Sequence, residues 1–247
     1  MMKKIYFIAA FCVALMIPGS VVATPIVLTD FQKKVVDSLI ERNVFNFLLG
    51  TWTLEIDIGA KFRWVDSIIS DYDINEVAAD IEYGNKRTIV RGKIDRIKKG
   101  IGGATYIILT SEDRRVKLQA HFSKNYISEI VKLRRGAIVS VLCSGSDMVN
   151  DVLVMKGCEP ESSLRSLLLE KAYEDVALAL KGTRKPFYAY LIALYSLAIN
   201  QSMVDHDVCS IAGMRCAIDI SETFEKMPKS DRMRAYGDAI AFMKNNK

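Results

Sequence analysis

The sequence predicts an α+β protein: a small five-stranded β-barrel with an N-terminal helical lead-in and a C-terminal helical region. Three observations predict it. Apolar and polar residues alternate in short runs between Thr88 and Cys158, the period of half-buried strands. Gly92 interrupts the first run, where a curled strand needs relief from side-chain crowding. After Glu159-Pro160 the apolar residues recur at helical spacing instead.

Thr29 to Leu49 reads as a helix, with Asp30 placed to accept the free N–H groups of its first turn. Val35, Val36, Leu39, Ile40, Phe45 and Phe47 supply its apolar face, and Gly50 ends it. Trp52 to Ile58 alternates as a short strand, and Phe62 to Ile69 fits either state. A second helix, Ile74 to Tyr83, leads into the barrel.

The five predicted strands are Thr88 to Ile97, Thr105 to Thr110, Val116 to Phe122, Ile138 to Cys143 and Val152 to Cys158. Gly100-Ile101-Gly102-Gly103 turns the first into the second. Lys124 to Leu133 reads as a helix between the third and fourth, an arrangement that suits a small Greek-key barrel. Beyond it, Ser162 to Leu180 is amphipathic, with Ser162 or Ser163 as cap. Phe187 to Ile199 is apolar on nearly every side, but at 13 residues it suits a buried helix better than a membrane span. Ser221 to Met227 and Lys229 to Met243 complete the helical region. The chain thus divides into a leader (1–23), an extension (24–70), the barrel (71–158) and the helical region (160–247).

The lead-in to the first strand carries a resemblance. Asn75-Glu76-Val77-Ala78-Ala79-Asp80, Tyr83, Gly84-Asn85-Lys86, Val90, Gly92 and Ile94 resemble the tRNA_anti-like family of bacterial OB-fold proteins. That family opens with N-x-x-A-A-D-x-x-Y-x-x-K and continues into a V-x-G-x-V/I strand. A cysteine commonly closes its last strand, and Cys158 stands at that place. The resemblance covers roughly Asp71 to Cys158 and implies an OB barrel. It does not imply tRNA binding, and many members are exported proteins of unknown role.

Residues 1–23 read as a secretory signal peptide. Lys3 and Lys4 precede an apolar run, Ile5 to Ile17, then Pro18-Gly19-Ser20, with Val21-Val22-Ala23 before the cleavage point. An uncleaved anchor is the alternative; cleavage leaves no transmembrane anchor and a periplasmic or secreted protein. It also leaves four cysteines, Cys143, Cys158, Cys209 and Cys216, an even count that suits disulfides in an exported chain. Of three pairings, Cys143–Cys158 with Cys209–Cys216 joins neighbouring strands and closes a short loop; four buried free thiols is the alternative.

The charge is unevenly placed. Residues 83–136 hold 14 Lys and Arg against four Asp and Glu, whereas residues 159–247 hold 12 of each. Arg87, Arg91, Lys93, Lys98, Lys99, Arg114, Arg115 and Lys117, with Tyr106, are the candidate ligand-binding residues. Such a face attracts a polyanion, or simply solvates a small barrel. Few aromatic side chains accompany it: Tyr106, and His121 beside an inward Phe122.

No catalytic set stands out, and we expect no enzyme, cofactor or metal. Asp205-His206-Asp207 is the one local cluster with chemical potential, but sequence neighbours on a helix point in different directions. Glu76 and Asp80 share a helix face, which suits a solvated edge better than acid–base work. GxSxG, HExxH, P-loop and GxGxxG patterns are absent. Two functions remain: a non-enzymatic module that binds an envelope protein, or a domain that binds an anionic ligand such as single-stranded nucleic acid or acidic glycan.

Overall fold

The computed structural model describes residues 26–50, 56–100, 103–110, 117–149, 152–181, 187–199, 209 and 211–245. Helix α1, Asp30–Leu48, opens the described chain. Its cap is Thr29, one residue before the predicted Asp30. The Gln32 amide donates to Thr29 Oγ1 at 3.2 Å and the Thr29 amide donates to Gln32 Oε1 at 2.9 Å, a reciprocal capping box. Asp30 falls inside the first turn and pairs with Lys33.

Strand β1 is Ala60–Trp64. The strand predicted at Trp52 to Ile58 lies partly outside the described residues, and Ile56 to Gly59 is not strand. Helices α2, Val65–Ile74, and α3, Glu76–Tyr83, follow. Asn75 divides them: its backbone is extended, and its side chain accepts from the Ala78 amide at 3.1 Å. Strands β2, Arg87–Lys99, β3, Thr105–Thr110, and β4, Lys117–Phe122, form an antiparallel meander. The helix predicted over Lys124 to Leu133 is shorter: a 3-10 turn at Lys124–Tyr126, then one turn of α4, Ile127–Ile130. Strands β5, Ile138–Cys143, β6, Gly145–Val149, and β7, Val152–Cys158, complete the sheet.

The result is one curled sheet of seven strands, not five. The order is β1-β2-β3-β4-β7-β6, with β5 on β2. The β1–β2 and β4–β7 pairs are parallel and the other pairs antiparallel. Strand β1 does alternate, Ala60, Phe62 and Trp64 against Lys61 and Arg63, but it is only five residues long and runs straight into α2. In β6 the residues before Met148 are Gly, Ser and Asp, which read as a turn. Packing explains its glycine: a Cβ on Gly145 would lie 2.5 Å from the Gly84 carbonyl oxygen. Gly92 is also required by proximity, since a Cβ there would meet Val65 and Leu109 at 3.2 Å.

Four helices follow: α5, Glu161–Leu180, α6, Phe187–Ala198, α7, Met214–Lys226, and α8, Lys229–Asn245. Helix α7 starts seven residues before the predicted Ser221, because Cys216, Ala217, Ile220 and Phe224 already form a buried face. Pro160, not Ser162 or Ser163, stands at the start of α5, and Ser162 donates to Glu129 of α4 instead.

Two cores share the sheet. Alternate residues of β2 and β5 point opposite ways, so Val90 and Val141 enter the curl while Ile89 and Leu142 face the helices. The inner core gathers Ile94, Ile107, Leu109, Leu118, Phe122 and Met155, and α2 plugs it with Val65, Ile68 and Ile69. The outer core joins α1 to α5, α6, α7 and α8.

Both expected disulfides are present, Cys143–Cys158 and Cys209–Cys216. The first crosses from β5 to β7, where the backbone supplies a single isolated bridge, Leu142 to Glu159. It therefore staples the seam at which the sheet curls back on itself. Among the described residues no helix is long and apolar enough to cross a membrane.

Candidate ligand-binding face

The outer surface of β2, β3 and β4 gathers part of the predicted site. Side chains of register partners project to the same side of a sheet. Lys98, Tyr106 and His121 form one row across three strands. Arg96, Ile108 and Gln119 form the next, and Lys93, Thr110 and Lys117 a third. An irregularity in β2 around Asp95 shifts the register between these rows.

At the centre of the first row the Tyr106 and His121 rings stack, with centroids 4.9 Å apart and planes at 14°. Both are half-buried. Gln119 Oε1 lies 3.0 Å from His121 Nε2 and holds the ring in place. Burial lowers the pKa of His121 from its ordinary value, which favours the neutral ring at pH 7. Sequence reading found the two side chains separately and missed the stack. The signal was present: each stands at an outward position of its strand, and only the pairing register makes them neighbours.

Not all the nearby cations are free. Asp95, 16% exposed, holds Arg135 at 3.1 Å, Arg96 at 3.6 Å and Lys117 at 3.7 Å. Lys93 and Lys98 are exposed on the same face. Lys99 is exposed too, but its partner Thr105 belongs to the opposite side of the sheet.

The other predicted residues lie elsewhere. Arg87 lines a 530 Å³ cavity with Asp57, Lys61, Glu82 and Lys86, and its Nη1 donates to the Ile58 carbonyl at 3.1 Å. Glu82 there accepts from Lys61 at 2.6 Å, which holds its carboxyl below the ordinary value. Arg91 is buried at 5% exposure beneath the helices, not on the open face. Its Nη1 donates to Ser140 Oγ at 3.0 Å and its guanidinium lies 5.2 Å from the Trp64 ring centre. Burial lowers its pKa against the opposing pull of Glu161. Arg114 and Arg115 lie outside the described residues, as does Asp205-His206-Asp207.

The remaining candidate chemistry resolves into structure. Asp80 accepts from the Tyr72 hydroxyl at 2.8 Å, and Glu76 is exposed. Among the described residues no three His, Cys, Asp or Glu side chains converge as metal ligands.

The tRNA_anti-like family model matches residues 2–159. The chain belongs to the tRNA_anti-like family. The match runs well upstream of the Asp71 boundary expected from the motif, so β1, α1 and the segment before them fall within the tRNA_anti-like region. None of the curated proteins matches the chain. Among solved structures it is similar to a "putative nucleic acid-binding lipoprotein" from Klebsiella pneumoniae subsp. pneumoniae MGH 78578. Identity is 20%, the TM-score is 0.35, and the match covers 40% of this chain and 89% of that one.

Proposed function

We propose that this tRNA_anti-like protein is an exported, non-enzymatic OB-type barrel that binds a single-stranded anionic polymer across β2, β3 and β4. The pairing supports the OB reading: β3 and β4 follow β2 in a meander, β7 joins β4 in parallel, and β5 returns to β2. OB barrels take oligonucleotides and oligosaccharides on the corresponding strands. The N-terminal apolar segment and the two disulfides support export.

The observation that carries the ligand is the Tyr106–His121 stack with Lys98 in the same row. A base can extend a ring stack, a contact worth roughly 1–3 kcal/mol. The lysine neutralises a backbone phosphate. The rings favour nucleic acid over an acidic glycan, whose charge alone would need no stack.

The test is fluorescence anisotropy of the mature chain with a labelled single-stranded oligonucleotide, over a range of salt. Binding that weakens with salt and is lost in Tyr106→Ala supports the reading. Absence of binding at low salt, or unchanged affinity in Tyr106→Ala, refutes it. Tighter binding of a sulfated glycan than of the oligonucleotide moves the ligand to the glycan class.

A further inference from the structure

The α2–α3 segment carries a second surface. From Val65 to Tyr83 the chain has six acidic residues and no Lys or Arg. Three large apolar side chains stand out from it: Ile74 is 79% exposed, Val77 72% and Ile81 72%. Val77 and Ile81 lie one turn apart on α3 and share a face, and Ile74 precedes them at the α2–α3 junction. Each follows an exposed acid: Asp73, Glu76 and Asp80. On α3 the acidic pair Glu76 and Asp80 therefore runs beside the apolar pair Val77 and Ile81, and Asp73 and Ile74 extend the pattern in sequence, with the spacing i, i+3, i+7, from the end of α2. Glu82 is already held by Lys61 and Lys86 and takes no part.

The surface is held firmly. The Tyr72 hydroxyl donates to Asp80 and the Tyr83 hydroxyl to Asp71, so each helix holds the other. The Asn75 side chain caps α3 at the kink. A pre-ordered surface loses little entropy on binding.

We propose that this ridge docks a basic amphipathic helix of a partner protein. The occupant needs apolar residues at i, i+3 and i+7 to cover Ile74, Val77 and Ile81, with Lys or Arg beside them to meet Asp73, Glu76 and Asp80. Recognition of an amphipathic helix by such spaced anchors is a recurring mode. Charge selects this occupant. The acidic residues repel nucleic acid and anionic lipid headgroups, which leaves the ridge separate from the strand face.

The experiment uses the full mature chain and two labelled synthetic helices. One has leucines at i, i+3 and i+7 flanked by lysines; the other replaces every lysine with glutamate. The lysine helix binds, and the glutamate helix binds at least roughly tenfold more weakly. Val77→Ser/Ile81→Ser and, independently, Asp73→Asn/Glu76→Gln each weaken the lysine helix by a similar factor. All four side chains are exposed, so the melting temperature stays near wild type and the loss reads as binding. Tyr106→Ala leaves the peptide affinity unchanged. Equal affinity for both helices, or for wild type and Val77→Ser/Ile81→Ser, overturns the proposal. So does self-association that Val77→Ser/Ile81→Ser abolishes while no helix binds, which assigns the ridge to a second copy.

Discussion

The Tyr72 hydroxyl donates to Asp80 Oδ1 at 2.8 Å across the α2–α3 kink, and Ser146 Oγ of β6 lies 2.6 Å from the same hydroxyl. One buried phenol thus ties two helices to a sheet edge. Replacing it with Phe strands both partners, and a lost hydrogen bond of this kind costs about 1–2 kcal/mol. Burial, reinforced by the Asp80 carboxylate, pushes the Tyr72 pKa up from 10.0 to about 12. A raised folded-state pKa stabilises the protonated form. Its contribution is complete below pH 10 and disappears as the pH rises through about 12. Urea unfolding of wild type and Tyr72→Phe should therefore show a constant stability gap below pH 10 that closes above it. A gap independent of alkaline pH contradicts the assignment.

Arg91 joins the sheet to the helices. It donates to Ser140 Oγ, which donates to the Leu48 carbonyl at 3.1 Å, while the Ser140 amide donates to Glu161 Oε2 at 3.0 Å. Arg91→Ala should cost about 2 kcal/mol, within the range for breaking a buried polar network. Lys should restore only part of this, since it lacks the planar fork. A double-mutant cycle with Ser140→Ala should give a coupling of about 1 kcal/mol. Additive effects would place the two side chains in independent roles.

The Cys143–Cys158 bridge closes a separation of 15 residues. Loop-closure entropy values such a constraint at about 3 kcal/mol. Cys143→Ser/Cys158→Ser should lower the denaturation midpoint accordingly and loosen the β5–β7 seam first. Hydrogen exchange would then rise at Leu142 and Glu159 before it rises in β3. Uniform exchange across the sheet contradicts a seam role.

His121 supplies a pH test of the strand face. Burial depresses its pKa below 6.5, so the ring gains charge only as the pH falls below that value. A cation stacked on Tyr106 attracts phosphate. Oligonucleotide affinity should therefore rise between pH 7 and pH 5, and His121→Gln should remove the rise. A pH-independent affinity in wild type removes His121 from the site.

Much of the curled sheet was legible where a strand buries one side, as β4 does. Leu118, Ala120 and Phe122 alternate with outward Gln119 and His121, and that alternation is visible in the chain. Strand β1 and strand β6 were not legible. The first continues in phase the alternation of Trp52 to Ile58, so the period alone does not say where along that run the strand lies, and the second is held by Gly84 and β7, not by its own apolar residues. The family motif was recognisable as a string, but its reasons are spatial: Asn75 caps, Ala79 is buried, and Asp80 and Tyr83 make the two phenol–carboxylate bonds.

The candidate face divided in the same way. Arg91 and Lys93 are two residues apart and equally basic in sequence, yet one is buried under α1 and α5 while the other is exposed. Outward alternation specifies a side of the sheet; it does not specify what covers that side.

The sequence by itself determined the strand periodicity, the family and the local excess of positive charge, and it favoured the disulfide pairs that the structure then fixed. These depend on neighbouring residues and on spacing along the chain. The tertiary structure decided which cations remain open, that Tyr106 and His121 stack, and that Ile74, Val77 and Ile81 stay uncovered. Each of these depends on the register between strands or on the packing of distant helices, and no local pattern of residues carries that information.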